Sequence, residues 1–174
     1  MVKFSDAHKA ERSTNYFEEG IHQVKIGAFE FATTEKKQEY LEVEVYDPLN
    51  DERTAKARFW FTTDGAINYA FNILRGIFVH NAPEDKKDAV RAKFDAIEDT
   101  TQLEKEMNML IGKDCWLQVY ADGVYTDKNG NQKPNFNRDI YGYAPAEKAK
   151  APTGDNQNIT VTDDDGNEQQ VSAF

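Results

Sequence analysis

Tyr40-Leu41-Glu42-Val43-Glu44-Val45-Tyr46 alternates at strand period without a break. Leu41, Val43 and Val45 fall on one side and Glu42 and Glu44 on the other, the pattern of a strand with one buried face and one solvated face. The flanking segments extend it. Upstream, Gly20 to Phe31 reads as a long strand in which Gly27 marks a bulge or a sharp bend. The two are joined by a charged turn, Thr33-Thr34-Glu35-Lys36-Lys37-Gln38. Downstream, Asp47-Pro48-Leu49-Asn50-Asp51 is a second turn. A third strand, Ala55 to Phe61, then places Ala55, Ala57, Phe59 and Phe61 on one side and Lys56, Arg58 and Trp60 on the other.

The period then changes to helical. Thr63 or Asp64 caps a helix carrying Ile67, Tyr69, Ala70, Phe71, Ile73, Leu74, Ile77 and Phe78. Pro83 opens a second helix with an apolar stripe of Val90, Phe94 and Ile97. Thr101-Gln102-Leu103-Glu104 has the spacing of a capping box, and the third helix carries Leu103, Met107 and Leu110 before Gly112 ends it. Strand character returns at Cys115 to Tyr120, with Trp116 and Tyr120 opposite Cys115, Leu117 and Val119. A lysine-bearing hairpin loop, Thr126 to Lys133, has Asn129-Gly130 as its turn signal. A last strand runs from Phe136 to Tyr143.

Three strands, a helical insertion at 65–111, two more strands and a tail predict a mainly β fold. Five strands with helix between the third and fourth fit an OB-type Greek-key barrel, and an open α+β sheet packed on helices uses the same elements. The expected organisation is a polar lead-in at 1–19, one domain at 20–145 and a flexible acidic tail at 146–174. The tail holds Asp163-Asp164-Asp165 and ends Val171-Ser172-Ala173-Phe174, with too little apolar surface to fold on its own. An aromatic residue beside a terminal carboxylate, with acids nearby, suits capture in a partner's pocket. The plainer alternative is a solvated tail.

The 174 residues carry 31 acidic and 21 basic side chains, for a net charge of -10. An acidic balance argues against a duplex-DNA binder and against non-specific membrane binding, but a local basic groove depends on placement rather than on the sum. Cys115 is the only cysteine, which excludes an intrachain disulfide and a cysteine zinc cluster. No secretory signal or membrane-length apolar run is visible, so a cytoplasmic protein is expected.

No active site stands out. His8, His22 and His80 have no metal-ligand spacing, and neither a phosphate-cradling glycine loop nor a nucleophile elbow is present. A non-enzyme with no cofactor is the expectation. Rings and cations are more informative, because unpaired bases need faces to stack on and phosphates need Lys or Arg. The candidates are Lys56, Arg58 and Trp60 on the third strand, Trp116 and Tyr120 on the fourth, Phe136 and Arg138 on the fifth, and Lys36, Lys37, Lys128 and Lys133 in the loops. The competing reading is structural: rings on strands are mostly core, as expected for Phe29, Phe31, Phe59 and Phe61, and loop lysines are commonplace.

Gly20 to Ile26, the alternating second and third strands, and Asn135-Phe136-Asn137-Arg138-Asp139-Ile140-Tyr141-Gly142-Tyr143-Ala144-Pro145 together resemble phage-type single-stranded DNA-binding proteins with an OB fold. The likeness spans 20–145, and the acidic tail adds to it. It implies sequence-independent binding of single-stranded DNA in replication or recombination, with Asp163, Asp164, Asp165 and Phe174 recruiting partner proteins and homo-oligomers allowed. The long insertion and the distance of the aspartates from Phe174 depart from the pattern. Two other classes compete: an acidic interaction module or DNA mimic that inhibits a nucleic-acid enzyme, and an enzyme with acids at a barrel mouth.

Overall fold

The computed structural model describes residues 15–148, and beyond them two strands at 158–162 and 168–172. The elements are β1 (Gly20–Thr33), β2 (Glu39–Asp47), β3 (Asn50–Trp60), α1 (Asp64–His80), α2 (Lys87–Asp95), α3 (Thr100–Met107), β4 (Asp114–Thr126), β5 (Gln132–Tyr141), β6 (Asn158–Thr162) and β7 (Glu168–Ser172). Strands β1 to β5 form one sheet in the order β3-β2-β1-β4-β5. The β1–β2, β2–β3 and β1–β4 pairs are antiparallel, and the short link between β4 and β5 imposes the same on that hairpin. The mainly β class with helices between the third and fourth strands is therefore observed.

The chain divides into two compact units, one of Met1–Val119 with Arg138–Glu147 and one of Tyr120–Asn137 with Lys148–Phe174. In the first unit, Val24, Ile26, Leu41, Val43, Val45, Ala55, Ala57, Phe59, Cys115, Leu117 and Val119 are buried on the sheet, together with Ala70, Leu74 and Ile77 of α1. The alternation of β2 forces this division: its valines and leucine are buried, and Glu42 and Glu44 are not. Phe59 is core as expected, whereas Phe29, Phe31 and Phe61 are only half-buried. Phe31 and Phe61 lie parallel, with ring centroids 6.3 Å apart.

Gly27 does what its position announced. The β1–β2 register shifts between Ile26 and Ala28, and a Cβ at Gly27 would lie 3.1 Å from the Tyr46 ring. The bulge moves the solvated side of β1 from odd to even positions, so Lys25, Ala28 and Glu30 all share the side of Tyr46, Glu44 and Glu42.

Thr63 caps α1, its hydroxyl accepting from the Ala66 amide at 3.1 Å. The N-cap of α3 sits two residues before the expected one. Asp99, not Thr101, is the cap: Asp99 Oδ1 accepts from Gln102 N at 2.8 Å, and Gln102 Oε1 accepts from Glu98 N at 3.0 Å. Aspartate is the better cap, so the Asp99-x-x-Gln102 frame wins over Thr101-x-x-Glu104. At the far end of α1, the Asn81 side chain donates to Asp114 O and accepts from Asp114 N, fastening the helix end to the start of β4. The segment after β5 packs closer still: a Cβ on buried Gly142 would fall 2.2 Å from the Gly76 backbone of α1.

In the second unit, Asp127 organises the β4–β5 turn, accepting from the amides of Asn129 and Asn131, with Gly130 at φ +82°. Within the stretch expected as tail, β6 and β7 pair antiparallel, Ile159 opposite Val171. Asp163, Asp164, Asp165 and Phe174 lie outside the described residues. Among the described residues, no helix is long and apolar enough to cross a membrane.

Candidate functional site

In the first unit the register decides what the candidate side chains meet. Tyr40 lies opposite Trp60, Glu42 opposite Arg58, and Glu44 opposite Lys56. Lys56, Arg58 and Trp60 thus share one side of β3, as their spacing predicts. Trp60 is half-buried, its ring 5.1 Å from that of Tyr40 at 44°. The Arg58 guanidinium sits 5.0 Å from the Tyr40 centroid. This produces a layered platform: tryptophan against tyrosine, with a cation over the tyrosine face.

Both cations are engaged. Glu42 accepts from Lys56 Nζ and Arg58 Nε, each at 2.8 Å. Those two hydrogen bonds hold the Glu42 carboxyl below its ordinary range, and the same contacts raise Lys56 and Arg58. Glu30 and Glu44 add to the field at Lys56. The glutamates read from sequence as the outer side of a strand are therefore neighbours of the candidate phosphate contacts. Only the pairing register reveals this.

Trp116 occupies the other end of the same sheet. It lies opposite Gln23 of β1, whereas Tyr40 lies opposite Ala32. Nine positions of β1 separate those levels, ~30 Å of strand at ~3.3 Å per residue. Trp60 and Trp116 are thus two separate stations rather than one aromatic cluster. Trp116 is half-buried, on the opposite side of β4 from Cys115 and Leu117. It lines a 260 Å³ hollow with Gln23, His80 and Asp114, and Asp114 pairs with Lys25 at 2.7 Å. His80 is exposed and meets Tyr143 edge-on. Lys36 and Lys37 are exposed in the β1–β2 turn, and Arg138 is exposed on β5.

The second unit holds the other candidates. Lys148 Nζ stands 3.5 Å from the Tyr120 centroid, so that ring already carries a cation. Lys133 pairs with Asp127 at 3.2 Å, and Lys128 is exposed. Phe136 is half-buried.

Tyr40 is the site residue that the sequence reading missed. Its signal was available: it is on the Glu42 side of β2, and an aromatic on a solvated side is what a stacking platform requires. Among the described residues, no group of three or more His, Cys, Asp and Glu side chains is placed to hold a metal ion. No family model matches the chain, and no curated protein is similar to it in sequence.

Proposed function

We propose that the protein binds single-stranded DNA without sequence preference and performs no catalysis. The observation that carries this reading is the exposed side of β2–β3, where Trp60, Tyr40, Arg58 and Lys56 place two rings and two cations within one strand pair. Rings supply stacking that tolerates every base, and cations supply phosphate contacts. The sheet order with helices between β3 and β4 supports a closed OB-type barrel as the finer form of the fold. The setting that fits is phage-type replication or recombination in the cytoplasm of a host cell, with Asp163, Asp164, Asp165 and Phe174 recruiting partner proteins.

Titrating tryptophan fluorescence with oligo-dT tests it. Quenching that reverses as salt rises, with much weaker binding to duplex of equal length, supports the reading. No binding at low salt, or equal affinity for duplex, overturns it. A second reading, an acidic interaction module or DNA mimic, is favoured by one specific feature: Glu42 already occupies Lys56 and Arg58. Silence toward oligo-dT selects it.

A further inference from the structure

A second hollow shares no lining residue with the β2–β3 platform. It is a groove of about 610 Å³ between the first half of α1, the link from α2 to α3, and the ends of β2 and β3. That size is within the ~300–1,000 Å³ usual for ligand clefts. Its apolar lining comes from Phe61, Ile67, Phe71 and Ile97, all half-buried and so incompletely covered by the fold, with fully buried Leu103 beneath.

The polar lining is lopsided. Glu39, Glu98, Asp95 and Asp99 contribute four carboxylates, against the single guanidinium of Arg75. Arg75 is neutralised within the groove, donating to Asp95 at 2.9 Å and to Asn72 at 3.0 Å. Asp99 is committed to capping α3. Glu39 and Glu98 are exposed, and neither forms an ion pair among the described residues. An acidic groove of this kind repels a phosphate chain and attracts cations. Its half-buried apolar walls, beside those carboxylates, offer room for one large apolar side chain, which a small cation would not fill.

We infer that this groove docks a basic peptide segment of a partner protein, seating a large apolar side chain between Phe61, Ile67, Phe71 and Ile97 while Lys or Arg residues meet Glu39 and Glu98. This contact is independent of the nucleic-acid reading. It would let the protein hold a basic partner on one surface while another surface engages DNA.

The experiment uses the full chain and three fluorescein-labelled twelve-residue probes: one of Lys, Arg and Leu, one of Glu and Leu, and one of Lys and Gly. Affinity is read by anisotropy at low salt, and the docking position by backbone NMR shifts. The first probe should bind, move the Ile67–Arg75 and Ile97–Thr100 resonances, and exceed the other two. Glu39→Lys/Glu98→Lys should weaken it by about tenfold, whereas a reversal of two exposed acids elsewhere, Asp85→Lys/Glu104→Lys, should cost less than about threefold. Equal loss in the two double variants means attraction to net charge alone and overturns the proposal. So does equal binding of the Lys–Gly probe, or shifts that avoid the groove. Oligo-dT affinity measured on the wild-type protein separates the readings: DNA binding without docking of the first probe removes the groove proposal only.

Discussion

The two sides of the β1–β2–β3 sheet are built to opposite rules. One side is Leu41, Val43, Val45, Ala55, Ala57 and Phe59, closed off from water. The other is Tyr40, Glu42, Glu44, Lys56, Arg58 and Trp60, whose charges pair with one another in view of solvent. The closed side derives its free energy from area removed from water, ~25 cal/mol per Å². The open side contributes little to stability, because exposed ion pairs are worth ~0–1 kcal/mol. Changes on the closed side should therefore damage folding, and changes on the open side should alter binding while leaving the fold intact. Four measurements test that division.

The largest effect concerns Cys115, on the closed side of β4. Burial pushes its thiol up to about 12, from an ordinary value of 9.0. At pH 8 the thiolate should be about a thousandfold scarcer than for an ordinary cysteine. A thiol reagent should therefore leave the native protein unmodified and label it rapidly in denaturant. Prompt labelling without denaturant would show that the closed side opens readily, and the contrast with the platform side would collapse.

Next comes the close approach of Gly142 to α1. In Gly142→Ala the new methyl would meet backbone atoms of Gly76 and Ile77 at 2.2–2.5 Å. Backbone cannot rotate aside as a flexible side chain does, so the cost should be about 3 kcal/mol or more, read from the urea midpoint. Gly76→Ala is the internal control. Its methyl meets nothing closer than Tyr143 at 4.0 Å, and helix propensity should make it neutral or stabilising by up to ~1 kcal/mol. Equal destabilisation by both variants would contradict the packing described for this junction.

On the open side, Trp60→Ala should weaken oligo-dT binding by about 1–3 kcal/mol and scarcely move the melting temperature. Trp60→Phe leaves Trp116 as the sole tryptophan, so oligo-dT quenching of that variant reports on the second station alone. A Trp60→Ala protein that unfolds would place the ring among the core residues and remove the platform.

Much of this division was legible in the sequence, because side-chain period is a local property. The β2 alternation gave its buried face outright, and Gly27 gave the bulge. Pairing is not local. The β2–β3 link is only Pro48 and Leu49, but the register shifts between Tyr46 and Asp47, Tyr46 facing Thr54 while Asp47 faces Asn50, and Arg53 reaches back to Asp47 at 3.1 Å, so the turn region is not a regular two-residue hairpin. Without that irregular turn in hand, nothing aligns Tyr40 with Trp60 or Glu42 with Arg58. The same gap hid the groove, whose lining comes from β2, β3, α1 and the α2–α3 link. Gly142 has no visible role in the sequence from 135 to 145, because a glycine's reason is often the backbone it faces.

The smallest effect is also the most specific to the open side. Glu42→Gln keeps the shape of the side chain and removes its charge. Lys56 and Arg58 then lose the partner that competes with phosphate, so oligo-dT should bind about two- to fivefold tighter, with a steeper salt dependence. A pH series ties that gain to the carboxylate. The folded protein holds Glu42 below its ordinary value near 4.5, so its ion pairs stabilise the fold above the unfolded value and are lost as pH falls through the lowered folded one. Over that acid range the wild-type Glu42 protonates and releases both cations, and its affinity should converge on that of Glu42→Gln, while the stability difference between the two proteins also shrinks. An affinity ratio near one at pH 7 would mean that Glu42 does not restrain Lys56 and Arg58, and that the charges on the open side are decoupled from binding.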